Sequence, residues 1–139
     1  MRLNTLDSNL DPSPTKDWLG TSDQSLATVM VLAAGRGERM RPLTDQTPKP
    51  LLTVHGKPLM QWHMEALAKS GHHDQLINTA WLGDQIPAFF GKRVTWPGLP
   101  EVRLSYSHEG QDFGHALETA GGIVRALPQL ADVFWVAAG

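Results

Sequence analysis

An almost unbroken apolar run, from Ala27 to Ala34 and ending at Gly35, constrains the fold more than any other feature of the sequence. Part of the run is β-branched, which favours a strand. A strand that is apolar on both sides is buried on both faces, as in the middle of a parallel sheet covered by helices. The run therefore predicts a central parallel strand whose carboxyl end lies at Ala34 and Gly35.

Helix and strand patterns alternate after this first strand. Apolar residues at helical spacing predict a helix over residues 59–70 with Gly71 as its C-terminal cap, and Thr119 is predicted to cap a helix that runs to Pro128. Further patterns indicate strands at residues 76–81, 102–107 and 133–138 and a short helix at 86–90, while residues 51–54 are a short apolar run that residues 55–58 break. The alternation predicts an α/β fold with a doubly wound, mostly parallel sheet, whose ligands bind beyond the carboxyl ends of the strands.

Composition narrows the domain organisation and the possible functions. The 139 residues are the length of one domain, and residues 1–26 lack a sustained apolar period, which predicts a flexible N-terminal extension before a folded portion at 27–139. A net charge of −2 argues against a nucleic-acid partner, and no apolar run approaches the ~20 residues that span a membrane. Zero cysteines exclude a cysteine nucleophile. Without an apolar secretion signal near the N-terminus, a cytoplasmic location is expected.

The segment after the first strand concentrates positive charge. From position 36 to 57, five Lys and Arg residues stand against two acids, a balance of +3 in a chain of net charge −2. Small residues at 33, 34, 35 and 37 let phosphate groups approach backbone N–H groups. Arg39 offers a planar fork of donors and Lys49 a compact charge. Pro48 and Pro50 flank Lys49, which predicts an extended backbone at Lys49 and a side-chain ammonium whose direction is restricted. The segment predicts a polyanion site rather than a solvated surface turn.

Two better-known phosphate loops do not fit this segment. A Walker loop requires Gly-Lys-Ser/Thr where MRP stands at residues 40–42, and the dinucleotide fingerprint requires a small residue at Met40. Instead, LAAGRGERMRPLT at residues 32–44, followed by TPKPL at 47–51, resembles the signature of the sugar-1-phosphate nucleotidyltransferases. The resemblance continues through residues 56–59, 78–83 and 117–123 and covers 29–139. It is greatest to bacterial N-acetylmuramate-1-phosphate uridylyltransferases of cell-wall recycling, and next to mannose-1-phosphate guanylyltransferases.

The resemblance implies a Rossmann-like fold and a reaction in which a nucleoside triphosphate, with UTP favoured, joins a sugar 1-phosphate and releases pyrophosphate with the help of Mg²⁺. It implies catalytic roles for Arg39, at the pyrophosphate, and Lys49, at the reacting phosphates. The residues it implies for nucleotide binding are Leu32, Ala33, Ala34, Gly35, Arg36, Gly37, Asn78, Glu118, Gly121 and Gly122.

The resemblance also implies that the chain is incomplete. In the family, an apolar strand like residues 133–138 leads directly into a metal-binding aspartate, which would follow Gly139. We therefore expect an N-terminal, nucleotide-binding portion that carries no metal ligand, has a sheet incomplete at its C-terminus and is inactive alone.

Several alternatives stay open. Gly121 and Gly122, matched to a glycine pair that lies against the nucleobase, also fit the first turn of a helix, and Glu118 also fits a favourable charge before a helix start. Residues 111–116 form a longer connection than close relatives have, which leaves the base preference open. His72 and His73 are expected to be solvated rather than metal ligands. The alternative function is a non-catalytic nucleotide-binding or regulatory module of the same fold, and the oligomeric state is open.

Overall fold

The computed structural model describes residues 25–139. The strands are β1 (Ala27–Leu32), β2 (Thr53–Val54), β3 (Lys57–Pro58), β4 (Asp74–Thr79), β5 (Arg93–Val94), β6 (Val102–His108) and β7 (Leu130–Ala138). The α-helices are α1 (Leu59–Lys69), α2 (Gln85–Phe90), α3 (Glu109–Phe113) and α4 (Glu118–Ala126). Short 3-10 turns cover Glu38–Met40, Leu43–Asp45, Lys49–Leu51 and Leu127–Gln129. The predicted N-terminal extension lies, up to residue 24, outside the described residues.

A mostly parallel sheet forms the centre of the fold, in the strand order β5-β6-β4-β1-β7. Strand β1 runs parallel to both β4 and β7, and β4 runs parallel to β6; only β5 is antiparallel, against β6. Leu32 pairs in register with Asn78 and with Ala138, and Asn78 pairs with Ser107. The carboxyl ends of four strands therefore meet at one edge of the sheet. The predicted α/β class and parallel sheet are confirmed.

Both faces of the sheet are covered, as the apolar run of β1 predicts. Adjacent residues of this strand, Met30 and Val31, are both 0% exposed but belong to opposite cores. Val31 packs in the core that includes Met60 and Met64 of α1, whereas Met30 packs in the core that includes Ala126 of α4. Alternation of side chains along a strand produces this arrangement. Strand β1 is thus held from two sides, and its carboxyl end is fixed.

The structure adds one element and corrects another. In the apolar run at residues 51–54, Thr53–Val54 form β2 in a small antiparallel ribbon with β3, after a 3-10 turn at Lys49–Leu51 that Leu52 N–H closes to Lys49 O at 3.1 Å. Helix α4 begins at Glu118 instead of after Thr119, and no side chain caps it. The N–H of Leu117, at the N-cap position, binds a carboxyl oxygen of Glu109 instead.

Strand β7 forms an edge of the sheet and has an exposed apolar side. Val133 is 85% and Trp135 67% exposed, although this strand was predicted from an unbroken apolar sequence. Such exposure is unusual for large apolar side chains next to one another. Within residues 25–139, no helix is long and apolar enough to cross a membrane.

Candidate functional site

The carboxyl ends of β1, β4 and β7 open onto a cavity of about 830 Å³. The segment after β1 forms one wall, and the segments after β6 form a second wall. The predicted site residues that line the cavity are Leu32, Ala33, Ala34, Gly35, Arg36, Gly37, Arg39, Lys49, Asn78 and Glu118. Gly121 and Gly122 do not line it. The structure thus brings ten of the twelve predicted residues together, and their roles remain predictions.

The two glycines after β1 serve different purposes. Gly37 has φ +69°, and a Cβ added there would lie 2.9 Å from Thr44 Cγ2 and 3.3 Å from Lys49 Cβ, so glycine is required by both conformation and packing. Gly35 has no atom within 4 Å of the position that a Cβ would occupy. The protein itself does not require glycine at Gly35; the open space there leaves the backbone accessible from the cavity.

Arg36 is engaged within the protein. Its guanidinium stacks on the Trp81 ring at 3.8 Å, and its Nη1 and Nη2 donate to Thr44 O and to Asp45 Oδ1, both at 2.8 Å. The hydrogen bond from Arg36 is the main reason that the pKa of Asp45 is lowered, with a further contribution from Arg41. We call the four residues Arg36, Thr44, Asp45 and Trp81 the arginine clasp.

Arg39 differs from Arg36 although the two lie on the same loop. It sits in the 3-10 turn Glu38–Met40, is exposed, and has no hydrogen bond or ion pair with any residue in the range 25–139. Its fork of five N–H groups is therefore available to a ligand in the cavity that it lines. This availability is what the predicted role at a phosphate group requires.

Lys49 reaches the carboxyl ends of the strands. Its Nζ donates to Gly139 O at 3.1 Å, and Gly139 N–H donates to Leu32 O at 2.9 Å, so the ammonium is held beside the end of β1. The prediction of extended backbone at Lys49 is wrong, because the residue begins the turn Lys49–Leu51. Two backbone hydrogen bonds, from Leu51 to Pro48 and from Leu52 to Lys49, outweigh the pre-proline preference.

A buried chain of hydrogen bonds supports the second wall, which is formed by the segments after β6. Ala33 N–H donates to Asn78 Oδ1 at 2.7 Å, Asn78 Nδ2 donates to Glu109 Oε1 at 2.8 Å, and Leu117 N–H donates to Glu109 Oε2 at 2.8 Å. Glu109 is 0% exposed, with both carboxyl oxygens satisfied. We call this set the polar relay; it ties the start of the phosphate loop to the start of α4.

Sequence reasoning missed Glu109. The available signal was its place directly after the strand at residues 102–107, since polar residues at the carboxyl ends of parallel strands converge on one edge. Its neighbour Gly110 supports this position, because a Cβ there would lie 2.6 Å from Ala80 O.

The predicted glycine pair lies in the first turns of α4. A Cβ on Gly122 would lie 2.5 Å from Glu109 Oε1, whereas a Cβ on Gly121 would lie 3.0 Å from Leu117 Cβ. Gly122 is therefore required by the packing of the polar relay. A contact of the pair with a nucleobase stays a prediction. Their location agrees with the alternative of a glycine-rich helix start.

Glu118 is the first residue of α4 and lines the cavity with φ +60°, a left-handed backbone that costs about 1–3 kcal/mol for residues other than glycine. Its side chain is exposed. The wall after β6 thus carries the acidic residues Glu109 and Glu118, and the wall after β1 carries Arg39. The cations that line the cavity suit an anionic ligand.

The acidic and histidine side chains do not cluster in the part of the chain that the structure describes. Residues 25–139 contain no group of three or more His, Cys, Asp or Glu side chains that could hold a metal ion. His72 is more than a solvated turn residue, since its Nδ1 lies 3.0 Å from Thr28 Oγ1 in a half-buried contact.

Comparison with known proteins identifies the family. A model described as nucleotidyl transferase matches residues 28–135. The N-acetylmuramate alpha-1-phosphate uridylyltransferase of Neisseria meningitidis serogroup B is 54% identical over 101 residues, which are 73% of this chain and 41% of that protein. The mannose-1-phosphate guanylyltransferase catalytic subunit beta of Xenopus tropicalis is 32% identical over 77% of this chain and 29% of that protein.

A solved structure, of the CTP:phosphocholine cytidylyltransferase from Streptococcus pneumoniae, has a TM-score of 0.45 at 33% identity and covers 63% of this chain and 36% of that one. The present chain spans about two fifths or less of these proteins. The resemblance found in the motifs is confirmed.

Proposed function

Since this chain belongs to the nucleotidyl transferase family, we propose that it forms the nucleotide-binding site of an enzyme that joins a nucleoside triphosphate to a sugar 1-phosphate. The products are a nucleoside diphosphate sugar and pyrophosphate. One observation carries the proposal: Arg39, Lys49 and the open backbone at Gly35 line the same cavity at the carboxyl ends of the strands. Ligands bind at this position in doubly wound sheets.

The proposed reaction is an in-line displacement at the α-phosphorus. An oxygen of the sugar phosphate forms the new P–O bond, the bond from the α-phosphorus to the bridging oxygen breaks, and pyrophosphate leaves with the electron pair. We assign Lys49 to the reacting phosphates and Arg39 to the leaving pyrophosphate. Both cations would neutralise charge that develops as the bridging oxygen departs, and the fixed position of Lys49 would reduce reorganisation during the reaction.

Magnesium is part of the proposal as an ion that arrives with the triphosphate. The described residues do not form a metal centre of their own, and the roles of Arg39 and Lys49 do not depend on one. A cytoplasmic location, predicted from the N-terminal composition, belongs to the proposal as well.

We propose UTP as the nucleotide and cell-wall recycling as the setting, because a uridylyltransferase that acts on N-acetylmuramate alpha-1-phosphate is 54% identical to this chain. Arg39 and Lys49 and the acidic residues Glu109 and Glu118 line the same cavity. We propose that the phosphates bind at the cations, which leaves the base to bind away from them, toward α4.

The test measures pyrophosphate release from UTP, GTP, CTP and dTTP with a panel of sugar 1-phosphates. It uses the product of the whole natural reading frame and, in parallel, residues 1–139. We expect UTP-dependent turnover by the former, and UTP binding without turnover by the latter. Binding without turnover for every pair by the whole product would favour the alternative, a non-catalytic nucleotide-binding module. No binding of any nucleotide would contradict both functions.

A further inference from the structure

The arginine clasp connects Arg36, Asp45 and the more distant Trp81 around one buried residue, Thr44. Thr44 is 0% exposed, and its carbonyl oxygen accepts hydrogen bonds from Arg36 Nη1 at 2.8 Å and from Trp81 Nε1 at 2.9 Å. Its hydroxyl donates to Gly37 O at 2.9 Å. The loop after β1, the turn Leu43–Asp45 and the segment after β4 are therefore fastened at one point.

This fastening holds the backbone that carries Arg39. The hydroxyl of Thr44 donates to Gly37 O at 2.9 Å, so the clasp is bonded directly to the residue that precedes the turn Glu38–Met40. Arg39 follows Gly37 by two residues, inside a turn closed by Met40 N–H to Gly37 O at 2.9 Å. The position of Arg39 thus depends on the arginine clasp, whereas Lys49 is held by its own turn and by Gly139.

We propose that Arg36 is a positioning residue, which holds the phosphate loop through Trp81, Thr44 and Asp45 instead of binding the nucleotide. This inference rests on the proposed function for its kinetic consequences, whereas the contacts of the clasp do not depend on that function.

The donors of Arg36 support this role. Nη1 and Nη2 are bound to Thr44 and Asp45, Nε lies 3.7 Å from Glu38 Oε1, and the ring of Trp81 covers one face of the guanidinium. The lowered pKa of Asp45 agrees with a charge pair that neutralises Arg36. A lysine cannot replace a guanidinium that is both forked and stacked. Arg39, by contrast, has no such partners within residues 25–139.

Residues outside the cavity provide the decisive variants. Asp45 and Trp81 do not line the cavity, so a ligand contact cannot explain an effect of changing them. We would compare Arg36→Lys, Asp45→Ala and Trp81→Phe, which keeps an aromatic face but loses Nε1–H, with Arg39→Lys as the matched control. The readouts are hydrogen exchange of residues 37–45 without ligand, the UTP dissociation constant, and kcat of the whole natural product.

We expect Arg36→Lys and Asp45→Ala to speed hydrogen exchange at Met40, Arg41 and Asp45, whose N–H groups bond within the loop. We also expect kcat to fall on the order of tenfold or more, because small misplacements of reacting groups have effects of that size, with a UTP dissociation constant within about threefold of wild type. Trp81→Phe would act in the same direction but less. Arg39→Lys would weaken UTP binding and leave exchange unchanged.

Two results would overturn the inference: unchanged exchange and kcat in Arg36→Lys, or a loss of UTP affinity as large as that of Arg39→Lys with unchanged exchange. Failure of the proposed function is a separate outcome, seen as a wild type that releases no pyrophosphate. In that case the exchange rates and UTP affinities of the same variants still decide whether Arg36 holds the loop.

Discussion

The two walls of the cavity achieve order in different ways. The cationic wall, with Arg39 and Lys49, lies on a loop of short turns, and Arg39 is exposed without a partner among residues 25–139. The second wall, after β6, is built around Glu109, which is 0% exposed and hydrogen-bonded through both carboxyl oxygens to Asn78 and Leu117. Arg39 thus keeps its donors available on the first wall, whereas Glu109 uses its polar groups within the protein.

This difference predicts which substitutions should affect ligand binding or turnover and which should affect the stability of the protein. Exposed cations add little to stability, so removing one should alter binding or turnover. A satisfied buried network destabilises the protein strongly when one member is mismatched, since an unpaired buried polar group costs about 1–3 kcal/mol. Substitutions on the two walls should therefore separate activity from stability.

The largest effect is expected on the cationic wall. Lys49→Ala should lower kcat of the whole natural product by about 10²–10³-fold, the usual size for loss of a group that stabilises transition-state charge. The free energy of unfolding should fall by about 0.5–1.5 kcal/mol, the size of the one hydrogen bond to Gly139 O that is lost. Pyrophosphate release and urea unfolding measure the two quantities. Lys92→Ala, at an exposed lysine outside this cavity, is the matched control; an equal loss of kcat there would contradict the assignment.

On the buried wall, an exchange of hydrogen-bonding groups provides a sharper test. Asn78→Asp would bring two carboxyl groups to the 2.8 Å contact that Asn78 Nδ2 now makes with Glu109, and should destabilise the protein by about 3–5 kcal/mol. Glu109→Gln alone would leave its new N–H group facing Leu117 N–H or Asn78 Nδ2, for a loss of about 1–3 kcal/mol.

The double variant Asn78→Asp/Glu109→Gln restores donor to acceptor at every contact of the polar relay and keeps the total charge. It should recover most of the stability lost by Asn78→Asp, as measured by urea unfolding of the three variants. If the two single losses simply add, the relay is not a coupled unit.

Adjacent glycines of α4 allow a smaller comparison. Gly122→Ala would place a Cβ 2.5 Å from Glu109 Oε1 and should cost about 1–3 kcal/mol through overpacking. Gly121→Ala meets only Leu117 Cβ at 3.0 Å, and the helix preference for alanine, about 1 kcal/mol, offsets this contact. Thermal unfolding should give a clearly lower melting temperature for Gly122→Ala than for Gly121→Ala. The reverse order would contradict the close packing of Gly122 against Glu109.

The smallest effect is the pH dependence of the arginine clasp. The pKa of Asp45 in the folded protein lies below its ordinary value of 3.8, mainly through the hydrogen bond from Arg36. Its contribution to stability is therefore complete above pH 3.8 and is lost as the pH falls through the lower folded value. Asp45→Asn should reduce the acid slope of stability only below that pH, as measured by urea unfolding between pH 2 and 5.

The sequence predicted the cationic wall far better than the buried one. The apolar run at β1 requires burial on both faces, and Arg39 and Lys49 lie in one short stretch whose small residues and prolines indicate a phosphate site. The local sequence pattern was therefore sufficient to predict both the buried strand and the stretch that holds the two cations. The turn at Lys49 was missed because two backbone hydrogen bonds overcame the preference that Pro50 imposes on its neighbour.

The buried wall depends on contacts between distant residues. Asn78 and Glu109 are 31 positions apart, and Arg36 and Trp81 meet only after β1 and β4 are paired. Hydrophobic periodicity along the sequence carries no information about contacts between residues that lie so far apart. Glu109 resembles an ordinary surface acid in sequence, and only the register of β4 with β6 buries it. Strand β5 was missed as well, because two residues are too few for a pattern.

The contact between Lys49 and the main chain of Gly139 affects how the site meets its ligand. A lysine side chain has about 2 kcal/mol of rotamer entropy to lose when it is ordered. Here one of its three N–H groups donates to Gly139 O at 3.1 Å. Part of the entropy cost of placing the ammonium is therefore offset by a contact within the protein, and two N–H groups remain for a phosphate. The end of β1 thus limits the positions at which Lys49 can bind a ligand.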